Sequence, residues 1–249
     1  MSDSAKKQLI FGKRPVIEAL QTEELIDKVF VYKNISTDVF NELRTLCKGK
    51  STQLQAVPRE KLNRLTRKNH QGIVAFRALI EYQSIDNVVP FVFEKGEIPL
   101  IVALDGITDV RNFGAIARTC FGMNVHAILI PEKGSAMINA EALKSSAGTL
   151  NQLPVCKTNN LASSLKGLKN HGLKVIGTTG TTDNYISDID MNDPLVLVLG
   201  SEGYGISKQI RVVLDEECKI PISNALNSYN VSVSAGIALY EIVGQRRKS

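Results

Sequence analysis

The chain has 249 residues, 43% hydrophobic and 22% charged, with a formal net charge of +5. That length supports a sizeable core in one large or two ordinary domains, and the composition excludes a disordered or fibrous chain. Every apolar run stops short of the ~18 residues of a membrane span, and residues 1–7 lack the apolar stretch of a secretory signal, so a cytoplasmic protein with no membrane partner is expected.

In chain order, residues 14–20 read as a helix and 28–32 as a strand. Residues 37–47 read as a helix through the spacing of Val39, Phe40, Leu43 and Leu46. A short strand over 53–57 leads to Pro58, which suits the first turn of a helix through 65. Residues 72–79 close this small α/β/α unit with a strand. The domain boundary is placed near residue 80, dividing 1–79 from 80–249, with a joint over roughly 80–97 punctuated by Pro90, Gly96 and Pro99. A short helix over 85–93 opens the second domain. Strands are then expected at 100–104, 127–130, 173–178, 195–199 and 218–221, and helices at 113–123, 140–146, 161–170, 207–214 and 231–246. Short strands apolar on both faces, alternating with helices, predict an α/β domain with a parallel sheet covered on both sides.

The charge is uneven. Residues 1–79 carry 15 Lys and Arg against 8 Asp and Glu, a net of +7; the remainder carries 15 against 17. A basic module on a near-neutral body points to a polyanion partner. The helix after Pro58 sets Arg59, Lys61, Arg64, Arg67 and Lys68 around Leu62 and Leu65, so leucines can face the core while cations reach phosphates. Arg14 joins this group. His70 can stack on a base or hold a turn. The four cysteines are scattered without a CxxC pair, which fits reduced thiols, and no histidine is spaced to complete a zinc site.

Three segments carry chemistry. The first, Asp105-Gly106-Ile107-Thr108-Asp109-Val110-Arg111-Asn112-Phe113-Gly114-Ala115-Ile116-Ala117-Arg118, runs from a strand end into a helix, where ligands of parallel α/β folds sit. Arg118 within an apolar run is costly to bury unless it meets an anion, either a ligand or a structural carboxylate such as Asp105 or Asp109. The second, Leu199-Gly200-Ser201-Glu202-Gly203-Tyr204-Gly205-Ile206-Ser207, takes a buried strand into three glycines that let backbone approach a ligand. It lacks the Lys-Ser/Thr of a phosphate-binding loop and the spacing of a dinucleotide fingerprint. The third, Asn227-Ser228-Tyr229-Asn230-Val231-Ser232-Val233-Ser234, places more polar groups at the start of the last helix than capping needs.

Taken together, these segments resemble the SpoU (TrmH-like) ribose 2′-O-methyltransferases of the SPOUT class. That family's pattern has an Asn and an Arg in its first motif, Gly-x-Glu-Gly in its second and Ser-Leu-Asn-Val-Ser in its third. They fall here on Asn112 and Arg118, on Gly200-Ser201-Glu202-Gly203, and on Ser228-Tyr229-Asn230-Val231-Ser232. Residues 11–20 and 69–75 resemble the family's ribosomal-protein-like RNA-binding domain, in a layout similar to the bacterial 23S rRNA guanosine-2′-O-methyltransferase branch. Val110 stands where the family often has Pro, Tyr229 replaces Leu and Ser234 replaces Ala.

The resemblance implies a deep trefoil knot and a homodimer with its active site near the interface. It implies S-adenosylmethionine bound by Thr178, Thr179, Gly180, Leu199, Gly200, Ile220, Ser228, Tyr229 and Asn230. It assigns Arg118 to the hydroxyl and adjacent phosphate, Asn112 to the ribose or phosphate, Glu202 to holding Arg118 or Asn112, and Asn230 and Ser232 to ordering the pocket. RNA contacts fall to Arg14, Arg59, Arg64, Arg67, Lys68 and His70; no metal is implied. A tRNA ribose methyltransferase and a non-catalytic RNA-binding protein remain the alternatives.

Overall fold

A computed structural model describes residues 9–22, 24–48, 50 and 52–248. The chain groups into two compact units that divide between Glu81 and Tyr82.

The N-terminal unit is a four-stranded sheet in the order β1-β4-β2-β3, built from β1 (Leu9–Phe11), β2 (Ile26–Tyr32), β3 (Gln53–Val57) and β4 (Ile73–Arg77). β2 and β3 are parallel, and β4 runs antiparallel to β1 and β2. Helices α1 (Lys13–Gln21) and α2 (Thr37–Cys47) cover one face. Val16, Leu20, Val39 and Leu43 from these helices share a core with Val29, Val31, Ile73 and Ala75 of the strands. The seven-residue α3 (Arg59–Leu65) buries Leu62 and leaves its cations in solvent, as its pattern predicts. Pro58 stands one position earlier than expected, at the N-cap. β1 was not legible from its pattern, because three residues are too few to establish an alternation.

The C-terminal unit is a seven-stranded, wholly parallel sheet in the order β11-β9-β10-β6-β7-β8-β5. Its strands are β5 (Tyr82–Gln83), β6 (Leu100–Asp105), β7 (Ala127–Pro131), β8 (Val155–Thr158), β9 (Lys174–Thr178), β10 (Leu195–Gly200) and β11 (Glu216–Cys218). β6 and β10 lie side by side in register from Leu100 to Asp105, and their apolar residues are almost wholly buried. Both faces must therefore be covered. On one side, α4 (Ile85–Glu94), α7 (Leu161–Asn170) and α8 (Lys208–Arg211) share a core with Ile101, Ala103, Val196 and Val198. The remaining helices α5 (Val110–Gly122), α6 (Ala140–Ser145) and α9 (Val231–Arg246) associate through α5, and α9 also reaches β10.

The helix expected at 85–93 is present as α4, and the unexpected β5 precedes it inside the joint. Several other local expectations change. α4 continues through Pro90; its buried Val88, Val89 and Val92 anchor it on both sides of the proline. The strand expected at 218–221 is instead Glu216–Cys218, since pairing to β9 stops at Cys218 opposite Thr178. The helix expected at 207–214 is only Lys208–Arg211. Asp215 ends it by two hydrogen bonds to Val175: its backbone N–H donates to the Val175 carbonyl at 2.8 Å, and its carboxylate accepts from the Val175 N–H at 2.9 Å. The chain is thereby drawn into the sheet. All four cysteines are free and buried. Burial pushes the Cys47 thiol to about 11 and those of Cys156 and Cys218 to about 12, so these three stay protonated at neutral pH. No helix among the described residues is long and apolar enough to cross a membrane.

Candidate active site

The three polar segments meet at the carboxyl ends of β6, β9, β10 and β11. β10 ends at Gly200, opposite Asp105 of β6. The chain then closes a small loop: the Ser201 N–H donates to the Gly205 carbonyl at 3.1 Å, and the Gly205 N–H donates back at 2.9 Å. Gly203 and Gly205 hold φ of 91° and 65°, which side chains rarely tolerate. Gly200 is required for another reason. A Cβ there would lie 2.1 Å from the Gly205 carbonyl carbon and 2.3 Å from the Ile206 nitrogen. The Asp105 carboxylate accepts the Ser207 N–H at 2.6 Å and clamps the far end of the loop. Ser207 stands at the N-cap of α8, yet its side chain makes no cap bond.

This loop presents Glu202 to two asparagines. Its Oε1 accepts from Asn112 Nδ2 at 3.0 Å, from Asn230 Nδ2 at 2.6 Å and from the Val231 N–H at 3.4 Å. Asn230 Nδ2 also donates to Asn112 Oδ1 at 3.0 Å. Asn230 is the N-cap of α9; its Oδ1 accepts the Ser232 N–H at 2.9 Å and the Ser232 hydroxyl at 2.6 Å. Residues 90 and 118 positions apart from Asn112 thus form one ring of hydrogen bonds. The carboxylate, held by neutral donors, lies at the positive end of the α9 dipole. Of the two partners expected for Glu202, the structure supplies Asn112 and not Arg118.

Arg118 is not gathered into this ring. It is exposed, and it has no hydrogen-bond or ion-pair partner among the described residues. The structural carboxylates considered for it are engaged elsewhere: Asp105 on Ser207, and Asp109 as the N-cap that accepts the Arg111 N–H at 2.7 Å. Ile116, Ala117 and Cys120 beside Arg118 face inward while its own position on α5 faces out. Val110, in place of the family's Pro, is the first residue of α5, where either residue is compatible with helical geometry. Gly114 lets α6 approach: a Cβ there would lie 2.5 Å from Ser145 Cβ.

Beside the ring lies a cavity of about 540 Å³. Thr178, Thr179, Gly180, Gly200, Ile220, Ser228 and Tyr229 line it as expected. Leu199 does not: its side chain is fully buried within β10. Asn230 stands in the ring rather than on the wall. Residues outside the expected cofactor set complete the lining, notably Ile222 and, from the third segment, Asn227 and Ser234. Tyr229 donates its hydroxyl to the Pro221 carbonyl at 3.0 Å. That bond pins residues 221–229 across the cavity, a role the Leu usual in the family could not perform.

In the N-terminal unit, Arg14, Arg59, Arg64, Arg67 and Lys68 are all exposed. Arg59 sits 6.0 Å from the Tyr32 ring centre and Lys68 5.6 Å from that of Phe11. His70 is the exception among the proposed RNA contacts. It is buried, and its Nδ1 accepts the Gly72 N–H at 3.0 Å. That leaves Nε2 to donate to Asn63 Oδ1 at 2.9 Å. Burial, with the nearby Arg59 charge, holds its pKa below the ordinary value. His70 is therefore a neutral turn-holder and not a base-stacking group. Its neighbour Gln71 accepts the Lys13 N–H at 3.1 Å, joining the two N-terminal motif segments.

Comparison with known proteins agrees with this architecture. Residues 99–240 match the SpoU rRNA Methylase family, and residues 9–83 match the family described as RNA 2′-O ribose methyltransferase substrate binding. YacO of Bacillus subtilis, named for the TrmH family of tRNA/rRNA methyltransferases, is 32% identical over 98% of both chains. A relative in Mycolicibacterium paratuberculosis, named as an uncharacterized tRNA/rRNA methyltransferase, is 36% identical over 96% of this chain and 78% of its own. The SpoU methyltransferase AviRb of Streptomyces viridochromogenes, solved with its cofactor AdoMet, shares the fold with a TM-score of 0.62 at 22% identity. It covers 97% of this chain and 91% of that one. The chain belongs to the SpoU methylase family of RNA methyltransferases.

Proposed function

We propose that this protein is an S-adenosylmethionine-dependent ribose 2′-O-methyltransferase acting on a guanosine of 23S rRNA. The observation that carries the reading is the ring of Asn112, Glu202 and Asn230, which joins all three motifs at the lip of one cavity. The cavity suits the cofactor. Its volume lies in the range of small-molecule sites, its walls offer hydroxyls and apolar groups, and Glu202 is the one charged residue among those lining it. Such a wall accepts a sulfonium-bearing nucleoside and gives nothing to neutralise a pyrophosphate. Convergence of the loops after β9, β10 and β11 on this cavity supports the trefoil knot of the class.

When bound, S-adenosylmethionine would supply a methyl group on a positively charged sulfur, which would depart as a neutral thioether with the bonding pair while the 2′-hydroxyl proton passes to water. The protein's task is placement, which contributes ~7–11 kcal/mol in well-oriented systems. Asn112 retains one amide N–H, and Glu202 retains Oε2, beyond the bonds described above; these hold the ribose. Guanidinium groups keep their proton in proteins, so Arg118 serves as an anion grip on the adjacent phosphate rather than as a base. Arg14, Arg59, Arg64, Arg67 and Lys68 hold the RNA backbone through phosphate contacts.

A homodimer belongs to the same reading. α9 is apolar on its outer side as well as its inner one: Val233 and Tyr240 are 48% and 71% exposed, and Phe121 of α5 is also exposed. An apolar stripe of this kind calls for a partner surface. A second copy covers it and accounts for an unpartnered Arg118 on the outward side of α5. Light scattering is expected to give twice the chain mass, and Tyr240→Glu to halve it with loss of turnover. A wild-type monomer would overturn the dimer.

Transfer of labelled methyl from S-adenosylmethionine to total rRNA and, separately, total tRNA tests the function. Label is expected in large-subunit rRNA, falling at least ~10²-fold with Arg118→Ala and recovering little with Arg118→Lys, whose ammonium cannot make a bidentate grip. Label in tRNA alone would overturn the target, and cofactor binding without label in either would favour the non-catalytic alternative.

A further inference from the structure

Tyr204 has no role in the ring or in the cavity wall, yet it is 95% exposed. It stands at the tip of the loop closed by Ser201 and Gly205, between two glycines held at positive φ. Both glycines line the cavity, and Glu202, two residues back, is fixed to Asn112 and Asn230. The loop is therefore tied at its base and along its inner side, and the tyrosine ring is carried at the cavity rim on a short tether. A tyrosine has only two side-chain torsions to order on binding, so the entropic cost of using it is small.

We infer that Tyr204 is a substrate-recognition residue, whose ring stacks on the base of the nucleotide being methylated. This rests on the RNA methyltransferase reading and goes beyond it by placing the base. The chemistry requires a ribose to reach the ring of Asn112, Glu202 and Asn230. In a nucleotide the base is attached at C1′, one carbon from the methylated position, so the base must lie close to the cavity rim. A ribose brought into a pocket carries a base that has left its stack, which leaves a π-face without a partner. A neutral aromatic ring replaces that stacking whichever base is present, contributing about 1–3 kcal/mol per base. The residues nearest in sequence, Gly203 and Gly205, cannot do so.

The chain contains no tryptophan, so Tyr204→Trp introduces a single tryptophan at the site, which can be excited selectively over the tyrosines. Its emission is expected to be quenched by large-subunit rRNA. Tyr204→Ala is expected to raise KM for that RNA roughly 5- to 160-fold, corresponding to loss of one base–aromatic stack, with kcat and the S-adenosylmethionine Kd unchanged. Tyr204→Phe and Tyr204→Trp should keep KM within about twofold of wild type, because the ring and not the hydroxyl is used. An unchanged KM in Tyr204→Ala, a Phe variant as impaired as Ala, or a drop in oligomer mass with Tyr204→Ala would each overturn the inference while wild-type methyl transfer stands. Absence of transfer by the wild-type protein would instead remove the reading beneath it.

Discussion

Gly200→Ala is expected to lower methyl transfer by at least ~10²-fold and to abolish measurable S-adenosylmethionine binding, while leaving the sheet intact. The added methyl would lie 2.1–2.4 Å from backbone atoms of Gly205 and Ile206, none of which can swing aside as a side chain could. The loop has to open, and with it go the paired bonds between Ser201 and Gly205 that fix Glu202. Displacement of a positioned group by about 1 Å is enough to cost ~10²-fold in rate. β10 is paired to β6 along its length and to β9 over Leu195–Val198, so the stability loss should stay near the ~1–3 kcal/mol typical of an overpacked site. Calorimetric titration with the cofactor, run beside thermal unfolding, separates the two effects. Gly167→Ala is a matched control. That position, in α7, has no atom within 4 Å of a new Cβ, and alanine there should stabilise by roughly 0.5–1 kcal/mol. Normal cofactor binding by Gly200→Ala would show that the loop's closure is irrelevant to the site.

Glu202→Ala carries the second large effect. Removing the carboxylate leaves Asn112 Nδ2 without its acceptor and Asn112 held only through Oδ1 by Asn230, whose own amide stays fixed by Ser232. Turnover should fall about 10²-fold, in the range for deleting one positioned polar group of an active site. The contrast with Glu202→Gln is the informative part. An amide oxygen can accept the same three hydrogen bonds, so the Gln variant should retain most of the activity if Glu202 only positions the asparagines. A Gln variant as slow as the Ala variant would mean that the negative charge itself is required, as it would be for a group receiving the hydroxyl proton. Single-turnover transfer, measured with saturating cofactor for both variants, distinguishes these outcomes.

Much of this site was legible in the sequence because its residue types conflict with ordinary packing. Glycines after a buried strand, asparagines at helix starts and a carboxylate between glycines are each poor choices for a core, and all three segments converge in space. The strands β6 and β10 were equally plain, as unbroken apolar runs. What escaped detection was set by contacts distant in sequence. β5 and β8 are too short or too mixed to show a period, and exist through pairing at the sheet edge. α8 ends early because Asp215 bonds Val175, forty residues away. The clamp from Asp105 to Ser207 spans 102 residues, and nothing local distinguishes that aspartate from Asp109. His70 has the composition of an RNA contact, and only its two ring partners reveal a turn-holder.

The buried thiols give the molecule an internal clock. Cys47 lies in the N-terminal unit, and Cys156 and Cys218 lie in the other. Each is shielded from solvent and held in its unreactive protonated form at neutral pH. An alkylating reagent can reach them only when the surrounding unit opens, so the rate at which each becomes tagged reports that unit's own opening. Timed alkylation followed by peptide mass analysis would read both units in one sample, without any introduced label. The same shielding leaves the surface open for a single engineered cysteine, to which a dye can be attached with the native four still in place.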